Sequence, residues 1–473
     1  MVNLDFGPGS GLTPTTTVLH YLRTLPTHRG VKEGCAEGDC GACTVVLAER
    51  DGERLRYDAV DSCLLFLPML HGRQLITVEN LRAPDGRLHP VQKAMVDLHG
   101  SQCGFCTPGI VMSLFALSRR PVPPDEHDIC SALVGNLCRC TGYRPIIDAA
   151  RAACTAAKPD HFTVDEARVL SLMRDISSDS TVITTADQRY FRPASLGEAL
   201  ALRRDHPSAV LINGATDVAL RVTKKHELIP TILDLSGVAD LRRIDEKNDI
   251  VTIGSGVTIS RVRQHIQNRF PALSSLTDLF GSLQIRNLAT LGGNIATASP
   301  IGDALPVLIA HDAQIVLASA RGDRLIPASD FVVGYRKTAC APDELITAVR
   351  IPQTPAGAVV RWYKVSKRWD VDIATVSGGF RLELSRDRRV SKVLLAFGGM
   401  ADRTQRAKTA EDFLTGRPWT RTTVEQAMLL VEKEFQPISD ARGSARMRSV
   451  AARNLLMKFW VDTAGREETR SQD

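Results

Sequence analysis

The chain has 473 residues, and its 59 basic and 53 acidic side chains give a formal net charge of +6. This length predicts about three or four domains, and so dilute a positive charge does not favour nucleic acid binding. The sequence opens on MVNLDFGPGSG, without a basic and apolar export signal, and no apolar run approaches the roughly 18 residues of a membrane span. We therefore expect a cytoplasmic protein without a membrane segment, whose cysteines are thiols rather than disulfides.

The first predicted domain, residues 1–80, combines one helix with a small sheet. Hydroxyls between Thr13 and Thr17 precede an amphipathic run from Val18 to Leu25, which predicts a capped helix. Three β-rich runs follow, near residues 44–48, 54–60 and 75–78. The pattern predicts a small α+β domain.

Eight of the eleven cysteines form two sets of four within the first 140 residues. The first set has the plant-type ferredoxin spacing, and two irons bridged by two sulfides need four thiolates. Gly34, Gly38 and Gly41 interleave these cysteines, so the loop can adopt positive φ and bring backbone N–H groups close to sulfur. A four-residue gap in a glycine-rich loop is unusual for zinc, so the pattern predicts a [2Fe-2S] cluster. Its ligands are Cys35, Cys40, Cys43 and Cys63.

The second predicted domain, residues 81–158, is helical. Four short runs near 90–99, 108–119, 125–134 and 145–157 predict a bundle. The second set of cysteines lies just before the second and fourth helices, whose first turns carry Pro108 and Pro145. Closely paired cysteines also suit zinc, so spacing alone leaves both metals open, whereas association with the first set and two positive helix ends favour a [2Fe-2S] cluster. This set consists of Cys103, Cys106, Cys138 and Cys140.

Residues 159–187 show little hydrophobic pattern after Met173 and predict a partly extended linker. A further domain follows at 188–355, and strands then helices at 356–465 predict a C-terminal α+β domain. No G-x-G-x-x-G fingerprint occurs, since Gly254-x-Gly256 lacks its third glycine. The residues best suited to a pyrophosphate are Gly292, Gly293, Asn294, Thr297 and Ser299, with bare backbone N–H groups and short hydroxyls, although a tight turn is the commoner reason for such glycines.

Three long motifs resemble the xanthine dehydrogenase family: KEGCAEGDCGACTVV at 32–46, QCGFCTPG at 102–109 and GNLCRCTGYRPI at 135–146. The resemblance continues through GATDV, LGGNIATASPIGD, GYRKT and AVRIP, which begin at residues 214, 291, 334 and 348. Two iron–sulfur domains followed by a flavin domain, with the chain ending near residue 473, resemble the small subunit of bacterial xanthine dehydrogenases with split chains.

The resemblance implies an α+β multidomain fold. Its parts are a plant-ferredoxin-like domain, a four-helix iron–sulfur bundle, a two-part FAD-binding domain of the molybdenum-hydroxylase flavoprotein type and a C-terminal α+β domain. It further implies that Gln102 and Cys140 face a pterin, and that Tyr335 and Asp372 lie on the NAD side of the flavin. The implied FAD contacts are Leu211, Gly214, Ala215, Thr216, Asp217, Phe280, Thr290, Gly292, Gly293, Asn294, Thr297, Ser299, Asp303, Ile346 and Lys364.

The function implied by the resemblance is the electron-transfer and NAD-reducing subunit of xanthine dehydrogenase. Xanthine or hypoxanthine would be hydroxylated at a molybdopterin centre on a large partner subunit in an α2β2 particle, so no residue of this chain is implied in that step. A related hydroxylase of aldehydes or other N-heterocycles would look the same, and an iron–sulfur sensor or scaffold is the non-enzyme alternative. The remaining Cys130, Cys154 and Cys340 are expected to be buried structural thiols.

Overall fold

The computed structural model describes residues 1–155 and 159–464. These residues divide into two units, each built from separate stretches of chain. The first unit contains residues 1–199, 208–238 and 281–289, and the second contains residues 200–207, 239–280 and the described chain from 290 onward. The predicted flavin domain is therefore shared between the two units. Among the described helices, none is long and apolar enough to cross a bilayer.

The N-terminal region is an α+β fold, as predicted. The hydroxyl of Thr17 accepts a hydrogen bond from the His20 N–H at 3.1 Å and caps the helix, whose apolar face is buried. Residues 1–10, which precede this helix, form no strand. The antiparallel sheet has the order β2-β1-β3. The elements are α1 (Val18–Thr24), β1 (Thr44–Asp51), β2 (Arg54–Asp61) and β3 (Gln74–Ile76).

The helical region confirms the four predicted helices and adds a fifth. The fifth helix occupies residues 161–174, where a partly extended linker was predicted, so that prediction is wrong for this stretch. Asp160 caps the helix, and Phe162, Val169 and Leu170 bury one face at helical spacing. The predicted end of the fourth helix, residue 157, and the predicted end of the C-terminal domain, residue 465, lie outside the described residues. The helices are α2 (Pro90–Asp97), α3 (Thr107–Ser118), α4 (Glu126–Leu133), α5 (Arg144–Thr155) and α6 (His161–Arg174).

A buried ionic cluster attaches α6 to the helical core. The Asp160 carboxylate accepts hydrogen bonds from His89 Nε2 at 2.8 Å and from the Arg119 guanidinium. Arg119 also lies over the Phe115 and Phe162 rings, 4.8 Å and 5.4 Å from their centroids. Burial by itself raises the pKa of Asp160, but the bonds from His89 and Arg119 outweigh it and hold that pKa well below its ordinary value. The carboxylate therefore stays charged inside the protein.

The flavin region contains two separate sheets. The sheet of the first unit has the strand order β4-β5-β7-β6, and its last three strands run parallel. The sheet of the second unit has the strand order β11-β10-β14-β9-β8 and is antiparallel. The helices are α7 (Leu196–Asp205), α8 (Ala219–Thr223), α9 (Ile259–Ile266), α10 (Pro271–Asp278), α11 (Leu283–Arg286), α12 (Leu291–Ala296), α13 (Ala304–Ala310) and α14 (Ala328–Phe331). The strands are β4 (Thr181–Thr184), β5 (Arg189–Arg192), β6 (Val210–Ile212), β7 (Thr231–Asp234), β8 (Ile244–Lys247), β9 (Ile250–Gly254), β10 (Gln314–Ser319), β11 (Gly322–Pro327), β12 (Val332–Gly334), β13 (Lys337–Thr338) and β14 (Leu345–Pro352).

The C-terminal region is the predicted α+β domain, in which an antiparallel sheet is covered by helices. Its core holds Phe380, Phe397 and Phe459, whose rings contact one another edge-on or tilted. Residues 405–406 form a short strand that pairs with the preceding one, and the first helix of this region begins at residue 408. The elements are β15 (Val359–Val365), β16 (Val376–Leu384), β17 (Val390–Gly398), β18 (Gln405–Arg406), α15 (Lys408–Leu414), α16 (Arg421–Glu434) and α17 (Ala445–Thr463).

The Asp160 cluster predicts a stability difference between two substitutions on one helix. Asp160→Asn should lower the free energy of unfolding by about 3 kcal/mol, because it leaves the Arg119 charge buried without its carboxylate. The control Asp165→Asn removes an exposed pair with Arg168 at 2.9 Å and should change little. Urea denaturation measures both.

This prediction has a pH dependence with a defined sign. A carboxylate whose pKa is lowered by folding contributes stability above its unfolded pKa and loses it as the pH falls. The difference in the free energy of unfolding between wild type and Asp160→Asn should therefore be largest at neutral pH and should decrease below about pH 4. A gap that is the same at pH 7 and pH 3 would contradict the assignment.

Candidate cofactor sites

The first cysteine set lies in the loop before β1 and at the end of β2. Its thiols contact one another as two pairs, Cys35 with Cys40 and Cys43 with Cys63. The N–H groups of Glu37 and Asp39 approach Cys35 Sγ at 3.4 Å and 3.3 Å. The hydrogen bond from Cys40 lowers the pKa of Cys35 to about 5. The loop therefore directs donors at a thiolate, as a cluster-binding loop requires.

The glycines of this loop have two different roles. Gly38 and Gly41 have φ of +81° and +65°, which confirms the predicted need for positive φ. Gly34 does not have a positive φ. A Cβ at this position would lie 2.8 Å from Cys40 Sγ, so Gly34 is required by the close approach of the sulfur.

The second cysteine set lies before α3 and α5, as predicted. Cys106 is the N-cap residue of α3, and its thiol contacts that of Cys138, while Cys103 contacts Cys140. The Cys138 N–H donates to the hydroxyl of Tyr143 at 2.7 Å, which fixes the turn into α5. Cys103 and Cys140 are exposed, whereas Cys106 and Cys138 are half-buried. One edge of this set therefore faces out of the chain.

Direct hydrogen bonds connect the loops of the two sets. The Leu137 N–H donates to the Cys40 carbonyl at 3.0 Å, and Leu137 directly precedes Cys138. The side-chain amide of Asn136 donates to the Gly41 carbonyl and to the Thr44 hydroxyl, both at 3.1 Å. Both ligand loops are thus fixed against one another by one backbone hydrogen bond and by the short side chain of Asn136.

Gly109 and Gly135, from the second and third motifs, stand at the same contact. A Cβ on Gly109 would collide with the Gly41 carbonyl, and a Cβ on Gly135 would collide with the side chain of Gln284. The sequence identifies these glycines only as motif members. Gln284 was not predicted, because nothing in the sequence shows that residues 281–289 belong to the first unit.

The three remaining cysteines have different environments. Cys154 is buried, and its burial raises its pKa to about 11. Cys340 is half-buried, and burial likewise raises its pKa to about 11. Cys130 is exposed, so the prediction of a buried structural thiol is wrong at that position.

In the first unit, the candidate flavin residues form the loop between β6 and α8. Leu211 belongs to β6, and Gly214 and Ala215 are buried. Ala215 has a φ of +59°, and a Cβ on Gly214 would collide with the Leu288 carbonyl. Thr216 and Asp217 follow at the more exposed side of the loop. The turn is thus set by close backbone packing.

In the second unit, Gly292 and Gly293 form the first turn of α12 rather than an open loop. The prediction of bare N–H groups is wrong, because Gly292 N–H donates to the Ser255 carbonyl and Gly293 N–H to Thr290 Oγ1, both at 3.0 Å. A Cβ on Gly292 would lie 2.5 Å from Ser255 Cβ, whereas one on Gly293 would meet only Thr290 Oγ1, at 2.9 Å. Ser255 lies within the Gly254-x-Gly256 pattern, and nothing in the sequence indicates that it contacts Gly292.

The residues after α12 bond mainly within their own loop. Thr297 Oγ1 donates to the Asn294 carbonyl at 2.8 Å, and Asn294 Oδ1 accepts from the Ala304 N–H at 3.4 Å. Ser299 Oγ accepts from the Ile301 N–H at 3.4 Å. These contacts fix the entrance to α13.

A buried ion pair lies next to Phe280. Lys364 Nζ is 2.9 Å from Asp303 Oδ2 and donates to the Leu279 carbonyl at 3.2 Å. Burial raises the pKa of Asp303, and the Lys364 charge opposes that rise. Asp303 Oδ1 is buried and has no hydrogen-bond partner in the described chain. The structure therefore brings together two of the candidate FAD residues, Asp303 and Lys364, beside the residue that precedes a third, Phe280, and leaves one acceptor for a bound group.

The remaining candidates are dispersed in the second unit. Ile346 lies in β14, opposite Leu317 of β10. Tyr335 is exposed in the turn between β12 and β13. Asp372 lies in a different loop, where its carboxylate accepts from the Arg368 N–H at 2.9 Å.

Three family models match this chain. Residues 77–151 match a [2Fe-2S] binding domain, residues 184–354 match the FAD binding domain in molybdopterin dehydrogenase, and residues 361–463 match the CO dehydrogenase flavoprotein C-terminal domain. Together with the two thiol sets, these matches fit the small iron–sulfur and flavin subunit of a molybdenum hydroxylase, an electron-transfer oxidoreductase chain.

Two curated relatives are similar to almost the whole of this chain. Xanthine dehydrogenase of Emericella nidulans is 34% identical over 97% of this chain and 38% of its own length, and xanthine dehydrogenase/oxidase of Gallus gallus is 32% identical over 95% and 38%. This chain thus spans about 38% of the length of these curated relatives.

Solved structures resemble more than half of this chain. A chain of carbon monoxide dehydrogenase from Hydrogenophaga pseudoflava superposes with a TM-score of 0.55 at 27% identity, over 58% of this chain and 96% of that chain. A chain of quinoline 2-oxidoreductase from Pseudomonas putida 86 superposes with a TM-score of 0.54 at 26% identity, over 60% of this chain and 98% of that chain.

The contact at Gly109 predicts an effect opposite to helix propensity. Gly109→Ala should cost about 1–3 kcal/mol and lower the iron content, because the new Cβ pushes the Gly41 carbonyl and with it the first cysteine loop. Gly197→Ala in α7, where a Cβ meets open space, is the matched control and should be neutral or slightly stabilising. Thermal unfolding and iron per chain measure both. Equal behaviour of the two variants would rule out the close approach.

Proposed function

We propose that this chain is the NAD-reducing arm of a xanthine dehydrogenase. It would take electrons from xanthine or hypoxanthine oxidised on a partner chain and deliver them to NAD. The observation that carries the proposal is the hydrogen bond between the Cys40 carbonyl and the Leu137 N–H, which links two four-cysteine sets in one unit. A sensor or scaffold would need neither this link nor the matched FAD binding domain.

The contacts of the thiols favour [2Fe-2S] clusters over zinc. Within the described residues, no three His, Cys, Asp or Glu side chains converge on one metal position. The sulfurs instead approach one another two by two, and each iron of a [2Fe-2S] cluster takes two thiolates. A single zinc would need four ligands around one point. We therefore assign all eight cysteines as iron ligands.

For the flavin, we propose the two loops described above, each within its own unit. When bound, FAD converts one-electron steps from the clusters into hydride transfer to NAD. Phe280 would support the ring, while Lys364 pairs with Asp303 Oδ2 and leaves Asp303 Oδ1 as an acceptor. Tyr335 and Asp372 are proposed for the NAD side. The proposed FAD contacts remain Leu211, Gly214, Ala215, Thr216, Asp217, Phe280, Thr290, Gly292, Gly293, Asn294, Thr297, Ser299, Asp303, Ile346 and Lys364.

The partner would cover the exposed edge of the second set. Phe105 and Leu137 are each 48% exposed and flank the exposed thiols of Cys103 and Cys140. An apolar surface beside an electron-carrying site suits a permanent interface. We propose a molybdopterin-binding large subunit there, near Gln102, in an α2β2 particle. The likeness to quinoline 2-oxidoreductase supports a second candidate, the same role for another N-heterocycle.

Cofactor content tests the ligand assignment. We expect about four irons and four acid-labile sulfides per chain, with one FAD. Cys106→Ser should remove one of two paramagnetic signals of the reduced protein and spare the other. The control Cys130→Ser replaces an exposed cysteine outside both sets and should spare both signals. Zinc at either set, or two intact signals in Cys106→Ser, would refute the grouping.

Gly293→Val separates the two halves of turnover in the assembled enzyme. The valine fills space next to Thr290 and should release FAD, while iron per chain stays unchanged. Xanthine should still reduce the clusters, NADH formation should cease, and an artificial acceptor should restore turnover. Gly293→Ala, with a smaller side chain, should keep part of the FAD.

The outcome also decides between the candidates. Normal NADH formation by a flavin-free Gly293→Val enzyme would show that this chain is not the NAD-reducing arm. Reduction by another N-heterocycle but not by xanthine would favour the second candidate function.

A further inference from the structure

The helix α11 and its flanking residues 281–289 lie apart in sequence from the rest of the first unit, yet they pack into it. Leu283 packs against the hydrophobic core of the helical region. Ile285 and Leu288 belong to the adjoining core that contains α1, β1 and Cys63. A segment between two strands of the flavin region therefore enters the unit that carries both cysteine sets.

One side chain of this segment contacts the cysteine loops through a polar network. Gln284 is fully buried, and its Nε2 lies 2.9 Å from Asn136 Oδ1, 2.8 Å from Ser113 Oγ and 3.2 Å from the Ala132 carbonyl. Ser113 Oγ donates to the same Asn136 Oδ1 at 2.6 Å. Asn136 Oδ1 thus receives two donors.

This geometry fixes the orientation of both amides. If the Gln284 amide were reversed, its oxygen would face the Asn136 oxygen and the Ala132 carbonyl, both of which are acceptors. In the observed orientation, Gln284 Oε1 lies against Gly135, where there is no Cβ to collide with it. With Oδ1 held by donors, Asn136 must direct its NH₂ group at the Gly41 carbonyl and Thr44.

We propose that Gln284 is a positioning residue for the first cluster. Through Asn136 it would hold the Gly41 carbonyl, between Cys40 and Cys43, and the neighbouring bond from Leu137 to the Cys40 carbonyl. The flavin region thereby sets the geometry of the electron path between the two cysteine sets. This inference rests on the proposed iron–sulfur function.

The test compares two substitutions on α11 in the assembled holoenzyme. Gln284→Met keeps the volume but removes the donor, whereas Leu283→Ala removes packing from the same helix and leaves the amide network intact. In Gln284→Met, the reduced-to-oxidised ratio of the first cluster, measured at a fixed potential, should change at least about threefold. At 59 mV per tenfold change, this corresponds to a shift of about 28 mV in the reduction potential. Leu283→Ala should not shift this potential, even if it lowers the melting temperature as much.

A second readout follows the chain itself. Hydrogen exchange at the Leu137 amide, measured by mass spectrometry of the peptide around it, should be at least about tenfold faster in Gln284→Met than in Leu283→Ala. If Gln284→Met does not fold, Ser113→Ala takes its place. It removes one of the two donors to Asn136 and should shift the potential in the same way by a smaller amount.

Each outcome decides something. Equal shifts in Gln284→Met and Leu283→Ala, or no shift in Gln284→Met, would overturn the positioning role. If Gln284→Met does not fold, an unchanged potential of the first cluster in Ser113→Ala would also overturn the positioning role. A wild-type enzyme without iron–sulfur clusters would instead refute the proposed function.

Discussion

The side-chain amide of Asn136 is the contact on which the arrangement of both cysteine sets depends. Its NH₂ group donates to the Gly41 carbonyl, between Cys40 and Cys43, and Asn136 itself lies two residues before Cys138. A buried amide left without a partner costs about 1–3 kcal/mol. This cost makes small displacements of either loop unfavourable, so the two sets are held in one register even though almost a hundred residues separate them.

The glycines of the motifs acquire a physical reason from the same contact. Glycine-rich cysteine loops suggest freedom of φ, and Gly38 and Gly41 do adopt positive φ. Gly109 and Gly135 have another reason, since a Cβ on either of them would strike a carbonyl or a buried amide of another segment. Such a requirement depends on the partner segment, so it cannot be derived from the glycine and its neighbours alone.

The sequence predicts well what is decided locally. Helix caps and the prolines in the first turns of α3 and α5 depend on neighbours in the chain, and the helices they predicted are present. The α6 helix was missed because its weak apolar pattern is completed by burial against Phe115 and Arg119. The prediction of bare N–H groups fails at Gly292 because its acceptor, the Ser255 carbonyl, comes from a distant turn, and at Gly293 because Thr290 Oγ1 caps the same helix.

The two cysteine sets differ in burial in a way that suits electron transfer. Cys43 and Cys63 of the first set are buried, whereas Cys103 and Cys140 of the second are exposed beside Phe105. An electron carrier needs one end within reach of its donor and an interior that keeps water from the remaining groups, since solvent access helps to set reduction potentials. The exposed set is therefore suited to meet the proposed partner. The buried set, held by Asn136 and approached by α11, is then the inner carrier of the proposed electron path.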